Sequence, residues 1–259
     1  MTVITTQAQK NEVQREIIGN KIKGNEKIWS YLIADILTHS AFKSEYINLF
    51  CGGESTSSDL DIWYEAEPIP PRIGEGNTKL DLAFGSIRLR EGTQLGIEYD
   101  GKAKDSLVCF VEAKFSSDCS TTVSNDPLRN QIIRVIENLL CFQAQNEFPS
   151  KLHFTLLTPR VFQQNPKSRL YGYKMEEYKT ALGILEDIQK SRLVTRDRNG
   201  WVYPDNIRER AKMLKLNWVS YEEILEKEFN LENLDVTKDN WEDIDGVSEY
   251  FRNWMNISR

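Results

Sequence analysis

Two apolar, strand-like runs carry charge where a buried strand ordinarily carries none, and this limits what the chain can become. TKLDLAFG contains Asp81; LVCFVEAKF contains Glu112, thirty-one residues further on, and Lys114. Side chains alternate along a strand, so Glu112 and Lys114 project to one face while Val111, Ala113 and Phe115 project to the other. Burying a carboxylate or an ammonium alone is costly. An apolar segment that carries both implies compensation, most simply by a cation together with a phosphate. Such a pair of strands reads as a metal-dependent site for cleaving phosphodiesters.

Spacing alone does not carry this reading. Glu and Lys are common enough that a Glu-x-Lys triplet arises about once by chance in a chain of this length. Glu177-Tyr178-Lys179 repeats it inside MEEYKTALGILEDIQK, where helical apolar periodicity and many charges predict a solvated helix face. Only the first copy lies in a strand-like run, and only that copy follows an Asp-bearing strand.

Apolar periodicity predicts helices over 8–19 and 26–39, the second with Trp29, Ile33, Leu37 and also Glu26 on one stripe. A Glu in a first helical turn is explained as well by the helix dipole as by a role in a site. Strands are predicted at about 60–66, 79–89, 94–99 and 106–115, with a turn at YDGKAKD, forming a meander. The loop RIGEGN lacks nucleotide-binding spacing and is expected to be mobile. Asp126-Pro127 has the grammar of a helix start, an acid at the N-cap and Pro at the first helical position, followed by LRNQIIRVIENLLCFQAQ. KLHFTLLTP is expected as a further core strand, parallel to its partner because a long helix separates them. From 168 the pattern is mainly helical, apart from the strand-like NWVS. Arg192, Arg196, Arg198, Arg208, Arg210, Lys212 and Lys215 supply a basic region suited to a nucleic-acid backbone.

The order helix with Glu, strand with Asp, strand with Glu-x-Lys, helix with Gln resembles the PD-(D/E)xK nuclease superfamily over residues 26–160. Leu80 stands where that family often has Pro, a position that bears no metal ligand. The resemblance implies an α/β fold, a restriction-endonuclease-like αβββαβ core with a mixed central sheet over 1–165, and a mainly helical extension over 166–259. It implies Asp81, Glu112 and the Ala113 carbonyl as ligands of Mg²⁺, with Mn²⁺ able to substitute, and Glu26 as a further ligand, as in part of the family. Lys114 would polarise the attacking water and Gln131 would position water or substrate. Arg134, Lys79 and Arg129 are the expected phosphate contacts. The implied activity is a Mg²⁺-dependent deoxyribonuclease, an endonuclease of restriction or defence type, leaving 5′-phosphate and 3′-hydroxyl ends. The alternatives are a repair or recombination nuclease, or a non-catalytic nucleic-acid-binding module that has kept the fold.

Charge at first argues against such a partner, since the net is −6. Its distribution reverses that argument. Residues 222–249 hold eleven acids against Lys227 and Lys238, a net of −9, leaving +3 for the rest. The acidic stretch is expected as a solvated helical tail. Cys51, Cys109, Cys119 and Cys141 have neither CxxC pairing nor a nearby His, and two histidines, His39 and His153, are too few for a histidine metal centre. No apolar signal core or membrane-length apolar run is present, so a cytoplasmic protein is expected, with DNA as partner, no membrane, and a homodimer left open.

Overall fold

Runs of branched and aromatic residues set the strands, and helices fall where apolar residues recur every three to four positions. The computed structural model describes residues 3–54, 60–103, 106–122, 125–198 and 200–256. In chain order the elements are β1 (Val3–Ile4), α1 (Gln7–Ile18), α2 (Glu26–His39), α3 (Lys43–Phe50), β2 (Ile62–Pro68), β3 (Leu80–Gly85), β4 (Ile87–Leu89), β5 (Gly96–Tyr99) and β6 (Leu107–Ala113). There follow α4 (Gln131–Leu140), β7 (Lys151–Thr158), α5 (Arg160–Gln164), α6 (Leu170–Glu177), α7 (Ala181–Gln189), β8 (Asp197–Arg198), β9 (Trp201–Val202), α8 (Ile207–Met213), β10 (Leu214–Ser220), α9 (Tyr221–Phe229) and α10 (Val247–Asn256). The fold is α/β, with helices against a mixed central sheet.

The sheet runs β10-β7-β6-β3-β2-β5-β4, with β1 beside β2. β3 pairs antiparallel with both β2 and β6, whereas β6–β7 and β7–β10 are parallel. The expected meander is therefore corrected. The β4–β5 hairpin swings out beyond β2, and β3 is left to pair directly with β6. Gly85 allows this departure: its φ is +117°, and a Cβ there would lie 2.2 Å from the Leu107 carbonyl oxygen. The single strand expected over 79–89 accordingly breaks into β3 and β4. The turn expected at YDGKAKD runs past residue 103 and partly outside the described residues.

Two cores sandwich the sheet. On one face Leu82, Phe84, Cys109, Val111 and Ala113 pack under α1, α2, α3, α9 and α10. On the other, Ala83, Val108, Phe110, Phe154 and Leu156 pack against α4, α6, α7 and α8. The division expected at residue 165 marks no break, because β10 completes the central sheet and the later helices bury residues in both cores. The acidic 222–249 stretch is not a solvated tail either. Glu222 is buried and accepts the Arg160 main-chain N–H at 2.7 Å, and Trp241, Ile244 and Val247 belong to the core.

Helix α4 begins later than Asp126-Pro127 suggests. Asn130 is its N-cap, accepting the Ile133 N–H at 3.0 Å. Asp126 instead accepts from Arg129 Nε at 2.5 Å and Ser191 Oγ at 2.6 Å. The single helix suggested around Glu177-Tyr178-Lys179 divides into α6 and α7, with Tyr178 buried and Glu177 and Lys179 exposed.

Candidate functional site

Register brings the two acids together. The β3–β6 ladder ends with Ala83 against Phe110 and Leu82 against Val111, and Asp81 and Glu112 are the next residues along each strand. Asp81 Oδ2 accepts the Ala113 N–H at 2.7 Å, which fastens the end of β3 to β6 where the backbone ladder stops.

A third acid, Glu65, lies on β2 between Tyr64, which pairs with Leu82, and Ala66, which pairs with Leu80. Glu65 has a φ of 48°, a costly conformation for a residue with a side chain. Gln9 Nε2 donates to its Oε2 at 3.1 Å, and Lys27 Nζ lies 3.7 Å from Oε1. The third acid is thus drawn to α1 and α2, and Asp81 and Glu112 remain as the pair.

Lys114, just past the end of β6, closes the site. Its Nζ lies 2.8 Å from Glu112 Oε1, 3.0 Å from Glu26 Oε1 and 2.8 Å from the Ala113 carbonyl oxygen. Glu26 starts α2 and also accepts from the Phe115 N–H and Ser117 Oγ, both at 3.3 Å, so it ties the segment after β6 to the helix N-terminus. Glu112 is only 1% exposed, and its Oε1, although ion-paired, has no aligned hydrogen-bond donor. Burial and then the neighbouring Glu112 charge hold the Asp81 carboxyl well above the usual range. Burial likewise raises Glu112, against the pull of Lys114. Burial works against the Lys114 ammonium, but Glu112, Asp81 and Glu26 outweigh it and raise its pKa. Burial is the first cause of both raised carboxyls, and Lys114 is the positive charge set against it.

Beside Glu112 opens a polar cavity of about 240 Å³, lined by Thr78, Lys79, Ser120, Gln131 and Arg134 among others. Gln131 is placed there by its own backbone, whose N–H donates to the Ser120 carbonyl at 3.1 Å, while its Oε1 accepts the Ser120 N–H at 3.4 Å. Lys79 is exposed at the rim. Arg134 lines the cavity, but Nε donates to Glu75 Oε1 at 3.1 Å and Nη2 donates to the carbonyls of Glu75, Gly76 and Asn77. Its charge is already matched.

Arg129 is corrected outright as a phosphate contact: its guanidinium is fully buried among Asp126, Glu75 and Glu137. Glu137 also accepts from Arg72 Nη2 at 2.7 Å and Tyr203 Oη at 2.7 Å. This internal cluster pins RIGEGN, which is therefore not the mobile loop expected. Glu75 is 1% exposed and also accepts from Asn138 Nδ2 at 3.3 Å. Sequence reasoning missed Glu75, Glu137 and Arg72. One signal was present, since Glu137 falls among Ile133, Ile136 and Leu140 on the buried side of α4.

Several of the described C-terminal basic residues are committed to internal partners. Arg210 is buried with Nη1 3.3 Å from the Pro149 carbonyl, Arg196 Nε donates to the Pro70 carbonyl at 2.7 Å, and Lys215 pairs with Glu54. Arg192 and Arg208 are exposed.

Among the described residues no three His, Cys, Asp or Glu side chains form a ready-made metal cluster. The expected ligands reduce to Asp81, Glu112 and the Ala113 carbonyl, with Glu26 engaged by Lys114, Phe115 and Ser117. That set still fits a hard, largely hydrated ion, since Mg²⁺ keeps several waters and takes one or two carboxylates. The buried Glu112 Oε1, whose partner is the cationic Lys114 ammonium at 2.8 Å, is the observation that favours a cation there. No helix among the described residues is long and apolar enough to cross a membrane. Comparison with protein-family models, with characterised proteins and with solved structures returns no match to this chain.

Proposed function

We propose that the protein is a metal-dependent nuclease that hydrolyses DNA phosphodiester bonds, an endonuclease of restriction or defence type on a restriction-endonuclease-like core. The observation that carries this reading is the convergence of three groups at the ends of β3 and β6: Asp81 accepts the Ala113 N–H next to Glu112, and Lys114 lies against the Glu112 carboxylate. Asp81, Glu112 and the Ala113 carbonyl are the oxygens that would hold Mg²⁺ or Mn²⁺. Such an ion, when bound, acidifies a water and stabilises the leaving oxygen. Lys114, protonated by its surroundings, neutralises charge as it develops on the phosphate. Gln131, held by Ser120, orients the attacking water, and Lys79 at the rim contacts a phosphate without reading sequence. Arg134 acts by holding the cavity wall through Glu75.

The absence of a three-carboxylate cluster among the described residues favours a second reading, a nucleic-acid-binding module that has lost catalysis. Plasmid DNA incubated with purified protein and Mg²⁺ separates the two. Cutting by the wild type that is lost in Asp81→Ala supports the nuclease. Undiminished cutting by the variant defeats the assignment, and DNA binding without cutting supports the module.

A further inference from the structure

The three oxygens nearest the Lys114 ammonium are Glu112 Oε1, the Ala113 carbonyl and Glu26 Oε1, at 2.8, 2.8 and 3.0 Å. Two of these belong to the set that would hold a divalent ion. The side chain is 5% exposed, so the ammonium is an interior counter-ion rather than a surface charge resting nearby. An ammonium surrounded by carboxylate and carbonyl oxygens meets the same electrostatic need as a metal ion, with one charge in place of two.

We propose that the Lys114 ammonium is the resident occupant of the cation position, so that this side chain must leave the Glu112 and Ala113 oxygens before a divalent ion can be held there. The proposal rests on the nuclease reading of the site and deepens it by assigning its regulation. Once displaced, the ammonium needs another anion. The cavity beside Glu112, with Lys79 at its rim and Ser120 and Thr122 in its wall, is where a phosphodiester supplies one. Cation and phosphate therefore favour each other's binding, and Lys114 is the element through which they are coupled. Glu26 acts as the tether that keeps the ammonium home: it is fixed by Phe115 and Ser117 and turns its other oxygen to Nζ.

The consequence runs against the ordinary expectation for an active-site lysine. Removing the ammonium leaves Asp81, Glu112 and Glu26 without a counter-charge, so a divalent ion alone binds more tightly, while cleavage is lost. Mn²⁺ binding to the full chain, followed by the free-ion paramagnetic resonance signal in the absence of DNA, measures this in the wild type, Lys114→Met, Lys114→Gln and Glu112→Gln. The expected result is tightening on the order of ten-fold or more in both lysine variants, with binding lost in Glu112→Gln. Circular dichroism identifies any variant that fails to fold, and the glutamine variant serves if the methionine one does not. If binding is lost in Glu112→Gln but is no tighter in a folded lysine variant, the cation site stands and the displacement proposal is overturned. If neither the wild type nor a folded lysine variant binds Mn²⁺, or Glu112→Gln binds as well as the wild type, the metal-site reading fails and takes the proposal with it.

Discussion

Arg129→Met separates a structural arginine from a nucleic-acid contact. Arg72, Arg129 and Arg134 balance Glu75, Asp126 and Glu137, three guanidiniums against three carboxylates, in a cluster where Arg129, Glu75 and Glu137 side chains are fully buried. Methionine keeps the packing volume but leaves the cluster with one unmatched negative charge. Breaking a buried ion pair from one side costs about 3–5 kcal/mol. At about 2–4 °C per kcal/mol for a chain of this size, the melting midpoint should fall by about 6–20 °C. Thermal unfolding by circular dichroism measures the fall, and fluorescence anisotropy on a DNA duplex across a salt series, below the melting range, measures binding. The salt slope should be unchanged, because a buried guanidinium releases no counter-ion from DNA. A variant as stable as the wild type but with a shallower slope would refute the assignment of Arg129 to the interior cluster.

Lys79→Ala is the counterpart: stability should move by less than about 0.5 kcal/mol, while the slope of log affinity against log salt becomes shallower by about 0.9 on a duplex. Asp81→Asn should abolish cleavage yet, without divalent ions, raise stability on the order of 1 kcal/mol at pH 7. The sign follows from a folded-state pKa raised well above the ordinary one, which makes the ionised carboxylate a cost that grows as pH rises and vanishes in acid, so the gain measured by urea unfolding should shrink toward pH 4. His153 is buried on β7, and burial and then the Lys151 charge lower its pKa from 6.5 to about 4, with Glu54 Oε2 at 3.3 Å pulling the other way. The unfolded chain takes up the proton first, so stability should be lost as pH falls from 6.5 toward 4, and His153→Gln should lose less over that window; equal losses would contradict this.

The strands and the charge they carry were legible in sequence because alternation is a local property. Leu82, Phe84, Val111 and Ala113 face one way, which left Glu112 to face the other. The nearness of Asp81 to Glu112 was not local. It depends on Gly85 turning the chain so that β4 and β5 pass beyond β2. Arg129 and Arg134 looked alike as cations near a helix, and only the fold of 70–77 over α4 shows that Glu75 lies against both. Asp126-Pro127 misled for the same reason: an acid suited to capping a helix was taken instead by Arg129 and Ser191, and Asn130 caps α4. The acidic stretch read as solvated because its charges outnumber its apolar residues, although Ile224, Leu225, Trp241, Ile244 and Val247 within it are buried in the core.

Crystals soaked at saturating Mn²⁺ and measured at the manganese absorption edge test the central claim directly. An anomalous peak within bonding distance of both the Asp81 and Glu112 carboxylates, with the Lys114 ammonium moved away from Glu112, is the predicted result. Density that leaves Lys114 against Glu112 with no peak between the two acids would contradict it.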